Sequence, residues 1–142
     1  MIGGQVVDVA SCGVGLDEGM LNFIYELKTG ALIESSMMIG ALLAGAEDAE
    51  LEKVQKIASD VGIAFQIQDD ILDVTSTTEE LGKPVHSDEK NEKTTYVTLK
   101  GLEKATRDVE VISQEALELL SGLDRENAYL TQLIRELIHR KK

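Results

Sequence analysis

The segment FQIQDDILD, residues 65–73, sets three aspartates among apolar side chains. On an α-helix Asp69 and Asp73, four residues apart, lie on one face, and Asp70 lies about 100° from Asp69. Like charges at this spacing repel each other, and unpaired carboxylates are costly among apolar groups. A counter-charge is therefore expected. Mg²⁺ would supply it by binding one or two carboxylates, water and phosphate oxygens. The alternative is an acidic cluster on a solvated helix face.

The sequence around this segment predicts an all-α bundle in a single domain, residues 1–142. Apolar residues recur with helical spacing, and proline occurs once, as Pro84. The apolar stretch 1–10 is expected to be part of a buried helix. Predicted helices cover residues 1–10, 18–46, 49–73, 94–121 and 124–141, and predicted loops cover residues 11–17 and 74–93, with one short turn at 78–82.

Local signals predict where three of these helices begin or end. Glu47 and Asp48 suit the start of the central helix because carboxylates there complement the helix dipole. Ser121 and Gly122 are expected to end the next long helix, and Asp124 to cap the last one.

Composition excludes several classes of protein. The formal net charge is −12, the chain has no Trp, and aromatic residues make up 4%. These values argue against a nucleic-acid partner. No apolar run is long enough for a membrane span. The single cysteine, Cys12, excludes an intrachain disulfide framework and makes a reducing cytoplasm the simplest location.

Charge is also distributed unevenly along the chain. Residues 1–82 hold 15 acidic and 3 basic side chains, whereas residues 83–142 hold 11 of each. The excess acid therefore lies in residues 1–82, the part of the chain that contains the 65–73 segment. It is either a solvated helix surface or part of a cation site.

Two further motifs carry lysines that could bind phosphate. Lys28-Thr29-Gly30 lies in the middle of a predicted helix, where a glycine permits close packing or a local distortion that frees a carbonyl. Lys83 and Lys93 flank a polar loop just after the acidic segment, and such a loop could close over a cluster of metal and phosphate. A surface lysine and a solvated loop are the alternatives.

Taken in order, these stretches resemble the trans-isoprenyl diphosphate synthases, the family of farnesyl and geranylgeranyl diphosphate synthases. The resemblance covers essentially the whole chain and is closest to bacterial farnesyl-type enzymes. The matching stretches are GGQVVD (3–8), KTGALIE (28–34), GIAFQIQDDILD (62–73), LGKP (81–84), SDEKNEKTTYVTL (87–99) and the basic end IHRKK (138–142).

The resemblance implies the isoprenoid-synthase bundle, usually a homodimer, and Mg²⁺-dependent transfer of a prenyl group from an allylic diphosphate to isopentenyl diphosphate. It implies that the acidic segment binds metal and that the lysines bind the diphosphate. For metal, the implied residues are Asp69 and Asp73, with Asp70 acting through water. For the substrates, the implied residues are Lys28, Lys83 and Lys93 at the diphosphate and Thr29 and Gln66 near the allylic cation. Asp88 is implied in the closing loop, and Gln5 and Asp8 are implied as supporting groups.

Two departures from the family pattern change what we expect of this chain. His86 stands where the family commonly has glycine, and we expect this difference to alter the loop's turn. The family's first aspartate-rich motif and its following Arg-Arg pair are absent, since the one Asp-Asp pair is Asp69-Asp70. We therefore expect the chain to correspond to the C-terminal half of a longer synthase, inactive alone, and associated with the missing half or as a homodimer. The alternatives are a non-catalytic helical partner subunit and a plain helical interaction module.

Other reactive side chains suggest no second chemistry. His86, Ser87 and Asp88 are contiguous and are not expected to form a catalytic triad. Cys12 has no basic neighbour in sequence that would activate its thiol.

Overall fold

The computed structural model describes residues 1–77, 93–125 and 127–140, and within these ranges the chain is helical and has no strand. This confirms the predicted all-α fold. The elements are α1 (Ile2–Ala10), α2 (Glu18–Tyr25), a π-helical turn (Glu26–Gly30), α3 (Ala31–Leu43), α4 (Asp48–Thr75), α5 (Tyr96–Lys100), α6 (Leu102–Ser121) and α7 (Ala128–Ile138).

The long helix α4 forms the centre of the bundle. It packs mainly against α6 and α3, and its Ile57, Ala64 and Ile67 side chains are completely buried. Glu47 and Glu50 form a capping box at its start, as the acidic pair at 47–48 predicted. The predicted helix 49–73 is therefore confirmed, and its last two turns carry the acidic segment.

The predicted helix 18–46 is interrupted where the Lys-Thr-Gly motif lies. The π-helical turn Glu26–Gly30 separates α2 from α3, so the distortion expected at Gly30 is present. The turn packs closely on α4: a Cβ atom added at Gly62 would lie 2.9 Å from the Gly30 Cα atom. Glycine at both positions allows the two backbones to approach each other.

Two predictions of helix boundaries are wrong. The expected helix 94–121 is broken at Gly101, whose φ of 82° lies in the left-handed region, so α5 and α6 are separate. The last helix begins at Ala128, not near Asp124, and the Asn127 side chain caps it by accepting a hydrogen bond from the Leu130 N–H.

The expectation that residues 1–10 form a buried helix is also wrong. Gly4 is buried against the backbone of the π-helical turn, but Ile2 on the opposite side of α1 is 78% exposed. Helix α3 likewise has no fully buried residue. The apolar side chains exposed on these two helices include Ile2, Val6, Val9, Leu32, Ile39, Leu42 and Leu43. We call these the α1–α3 apolar surface.

Part of the predicted loop lies beyond what can be described. Lys83, His86 and Asp88, and the short turn expected at 78–82, fall outside the described residues.

Among the helices that are described, none is long and apolar enough to cross a lipid bilayer.

The close approach of Gly62 to Gly30 predicts a stability effect. Gly62→Ala should lower the free energy of unfolding by about 1–3 kcal/mol, because the added methyl group pushes α4 away from the π-helical turn. Gly40→Ala on α3 is the matched control. Its Cβ would meet nothing within 4 Å, so it should leave stability unchanged or raise it by up to about 1 kcal/mol. Urea unfolding measures both, and equal effects would contradict the packing argument.

Candidate functional site

A small polar cavity of about 50 Å³ lies beside the acidic segment. Residues far apart in sequence line it, because α1, α2, α4, the π-helical turn and the segment 93–95 meet there. Of the predicted site residues, the lining includes Asp8, Lys28, Gln66, Asp69, Asp70 and Lys93. The acidic segment therefore faces a cavity in which both described candidate lysines are present.

Two ammonium groups converge on one oxygen atom at this cavity. The Nζ atoms of Lys28 and Lys93 each lie 2.9 Å from Oδ2 of Asp8. Burial alone would raise the pKa of the Asp8 carboxyl group, but the hydrogen bonds and charges of the two lysines outweigh it and hold this pKa below its usual value. Asp8 is therefore a carboxylate at neutral pH and orients both lysines.

Asp69 has a counter-charge within the chain. Nη2 of Arg140 lies 3.2 Å from its Oδ1 atom, and the guanidinium group stacks over the Phe65 ring at 3.7 Å from the ring centroid. The Asp69 side chain is still 42% exposed. It can therefore reach a ligand in the cavity while Arg140 offsets part of its charge.

Asp70 is held by two tyrosines. The Tyr25 hydroxyl donates a hydrogen bond to its Oδ2 atom, and the Tyr96 backbone N–H donates to the same oxygen at 2.7 Å. Tyr25, Asp70 and Tyr96 are all buried. Burial, together with a hydrogen bond to Asp108, raises the pKa of Tyr96 to about 12. The Tyr25 side chain and the Tyr96 backbone therefore hold Asp70 beside the cavity, while the Tyr96 hydroxyl donates a hydrogen bond to Asp108.

Asp73 does not line the cavity and is 2% exposed, although it lies one turn after Asp69. Within the described ranges, no group of three or more His, Cys, Asp or Glu side chains could hold a metal ion. An all-protein metal site therefore does not fit these residues. A Mg²⁺ ion held by the accessible Asp69 carboxylate, water and the oxygens of a bound phosphate does fit, because Mg²⁺ commonly binds in this way.

Thr29 and Gln66 lie in different surroundings. Gln66 is buried at the polar cavity, whereas Thr29 lines an open groove of about 810 Å³ along α1. Lys28 lines both the cavity and the groove. The groove's other lining residues are mostly apolar: Met1, Ile2, Val6, Val9 and Ala10, with Gln5.

The sequence analysis missed three residues at this site. Tyr25, Tyr96 and Arg140 belong to segments that the motifs cover or adjoin, but no spacing rule connects them to Asp69 or Asp70. Arg140 and Asp69 are 71 residues apart. For the two tyrosines the sequence offers one signal, the rarity of aromatic residues, since the chain has three tyrosines in all.

Comparison with known proteins shows which relatives this chain has. The family model described as polyprenyl synthetase matches residues 1–136. A chloroplastic geranylgeranyl pyrophosphate synthase from Catharanthus roseus is 43% identical over 130 residues, which are 90% of this chain and 36% of that protein.

Solved structures of similar proteins share the fold. The geranyltransferase from Helicobacter pylori, crystallised with magnesium and isoprenyl diphosphate, has 34% identity and a TM-score of 0.79, over 97% of this chain and 45% of that one. The heptaprenyl diphosphate synthase of Staphylococcus aureus, at 22% identity, shows the same fold with a TM-score of 0.89, over 99% of this chain and 56% of that one. The chain spans about half the length of the relatives it matches, or less.

The two ion pairs of Asp8 predict a pH-dependent contribution to stability. At pH 7, Asp8→Asn should lower the free energy of unfolding by about 1–2 kcal/mol, because it removes the charged acceptor that two partly buried ammonium groups contact. The folded-state pKa of Asp8 is depressed, so this contribution is present above about pH 4 and is lost as the pH falls through the folded-state value. Urea unfolding of both proteins between pH 7 and pH 2 measures the difference. A difference that persists at the acid end would contradict the assignment.

Proposed function

Because the chain belongs to the polyprenyl synthetase family, we propose that it forms part of a prenyltransferase that joins an allylic diphosphate to isopentenyl diphosphate. The observation that carries the proposal is the convergence of Lys28 and Lys93 at a cavity that Asp69 also lines. Two ammonium groups beside a carboxylate suit a ligand that contains both phosphate oxygens and a divalent cation.

The shape of the site supports an amphiphilic substrate. The polar cavity and the apolar groove along α1 share Lys28, which lines both. A diphosphate bound at the cavity could therefore extend a hydrocarbon chain past Thr29 into the groove. Burial of such a chain against Val6 and Val9 would be favourable by the hydrophobic effect.

The residues of this chain act on the leaving group in the proposed reaction. Lys28 and Lys93 exchange the Asp8 carboxylate for diphosphate oxygens and neutralise the charge that builds up as the allylic carbon–oxygen bond breaks. The double bond of isopentenyl diphosphate then forms the new carbon–carbon bond. Loss of a proton completes the prenyl diphosphate, and inorganic pyrophosphate is released. Thr29 and Gln66 are proposed to place their oxygen atoms near the developing cation.

Magnesium is the proposed cofactor, with Asp69 as its accessible protein ligand. Bound Mg²⁺ supplies Lewis-acid stabilisation of the departing diphosphate. The predicted ligand Asp73 is buried and would need to reorient to contribute an oxygen atom. Lys83 keeps its predicted role in binding the diphosphate as a proposal from the motif LGKP at 81–84.

Substrate length and location stay predictions. The resemblance is closest to bacterial farnesyl-type enzymes, whereas the Catharanthus relative is named as a chloroplastic geranylgeranyl pyrophosphate synthase. A cytoplasmic location rests on the single cysteine.

Association with further helices is part of the proposal. The α1–α3 apolar surface supports association, because large exposed apolar side chains commonly mark interaction surfaces. This chain matches only part of each relative. We propose that helices similar to those in the unmatched part of the relatives cover the α1–α3 apolar surface. A homodimer, or a non-catalytic subunit of a synthase, is the alternative.

Pyrophosphate binding tests the site on this chain directly. Calorimetry should show binding that Mg²⁺ strengthens, and Asp69→Asn should abolish the increment from Mg²⁺ while leaving metal-free binding intact. Asp124→Asn, in an exposed loop, is the matched control and should behave like the unaltered chain. Metal-dependent binding that survives Asp69→Asn would show that Asp69 is not the ligand.

Turnover tests the need for a second part. The chain alone should convert no geranyl diphosphate and isopentenyl diphosphate, because the first aspartate-rich motif is absent from its sequence. Co-expression with the unmatched N-terminal part of the Helicobacter pylori geranyltransferase should restore turnover and remove the chain's self-association, measured by light scattering. Turnover by the purified chain alone would contradict this prediction.

A further inference from the structure

Asp70 lies where three separate segments of the chain meet. It belongs to α4, Tyr25 is the last residue of α2, and Tyr96 is the first residue of α5. Its Oδ2 atom accepts hydrogen bonds from the Tyr25 hydroxyl and from the Tyr96 backbone N–H. The same N–H lies 3.2 Å from the Tyr25 hydroxyl oxygen, so the three groups form one closed contact.

The two tyrosines stand in a regular relation to the two lysines. Lys28 follows Tyr25 by three residues and lies in the π-helical turn, and Lys93 precedes Tyr96 by three residues. Their Nζ atoms meet on one oxygen atom of Asp8, at 2.9 Å each. A shift of residues 25–28 or of residues 93–96 would therefore separate one ammonium group from the other.

We propose that Asp70 is a positioning residue, whose carboxylate, held by Tyr25 and Tyr96, fixes the Lys28 and Lys93 ammonium groups at the polar cavity. The proposal deepens the proposed function, on which it rests for the identity of the bound anion. It gives Asp70 a role different from the metal ligation that the sequence motif implies, and it adds Tyr25 as a second positioning residue.

Burial explains why this contact can set the geometry. Tyr25 is 4% exposed and Asp70 and Tyr96 are each 8% exposed, so water does not compete freely for the carboxylate oxygen. Hydrogen bonds to a charged acceptor in such surroundings are stronger than those between neutral groups. Loss of either donor leaves a buried carboxylate less well satisfied, and the segments that it joins can then move.

Variants without any ligand test the positioning role. Tyr25→Phe removes one oxygen atom and keeps the ring, and Asp70→Ala removes the acceptor, whereas Asp70→Asn keeps an oxygen that can accept both hydrogen bonds. The first two should speed hydrogen exchange of the Tyr96 amide by about tenfold or more and shift the side-chain ammonium NMR signals of Lys28 and Lys93. Asp70→Asn keeps the acceptor but not its charge, so it should change both signals less than Asp70→Ala does.

Controls separate positioning from general loss of structure. Tyr129→Phe makes the same chemical change at a tyrosine that is 77% exposed, and it should alter neither signal. Circular dichroism reports whether each variant folds. If Asp70→Ala does not fold, the result for Tyr25→Phe decides the test. Unchanged lysine signals and Tyr96 exchange in folded Tyr25→Phe would overturn the proposal.

Calorimetry with inorganic pyrophosphate then separates positioning from metal ligation. Tyr25→Phe and Asp70→Ala should weaken metal-free binding by about tenfold, a size typical of coupling between sites. Asp70→Asn should weaken metal-free binding less than Asp70→Ala does and should keep the increment from Mg²⁺. If Asp70→Asn loses that increment, as Asp69→Asn is expected to, Asp70 is a metal ligand and the proposal is overturned. If the unaltered chain binds no pyrophosphate, the proposed function fails, while the ligand-free measurements still decide the role of Asp70.

Discussion

The acidic segment 65–73 can exist at the end of a largely buried helix because other parts of the same chain supply partners for its carboxylates. Arg140 reaches Asp69 from beyond α7, and Tyr25 and Tyr96 donate hydrogen bonds to Asp70. An unpartnered carboxylate in these surroundings would cost several kcal/mol. From the sequence, a bound cation was one way to meet this need, and exposure of the carboxylates to solvent was the alternative. The structure shows that the chain meets part of this need internally, so the proposed cation would add to an arrangement that is already formed.

The Lys-Thr-Gly motif shows how a local irregularity places a functional side chain. Gly30 and Gly62 allow the π-helical turn to lie directly against α4, and Gly4 allows α1 to lie against the same turn. The extra residue in a π turn changes the direction of the side chains that follow it relative to a regular helix. Lys28 therefore lies between α1 and α4, where Asp8 can hold it and where both the cavity and the groove are accessible.

Sequence reasoning succeeded where structure depends on local spacing. The apolar repeat predicted α4, the acidic pair at 47–48 predicted its start, and the glycine at position 30 predicted a distortion. It failed where the outcome depends on contacts between distant segments. Nothing in residues 1–10 reveals that one side of α1 is exposed, and nothing near Asp69 reveals Arg140. Gly101 could have been recognised as a break, but in a helical stretch a single glycine is also tolerated at a cost of about 1 kcal/mol.

The arrangement at Asp8 has a consequence for how an anion would bind. The two lysines are ordered before any ligand arrives, so a diphosphate would lose less side-chain entropy in recruiting them than it would with mobile lysines. The same carboxylate also competes with the diphosphate for both ammonium groups. Preorganisation favours binding and this competition opposes it, so the net affinity depends on what else the diphosphate contacts. The proposed divalent cation would be such a contact, because it would bind the diphosphate and the accessible Asp69 carboxylate at the same cavity.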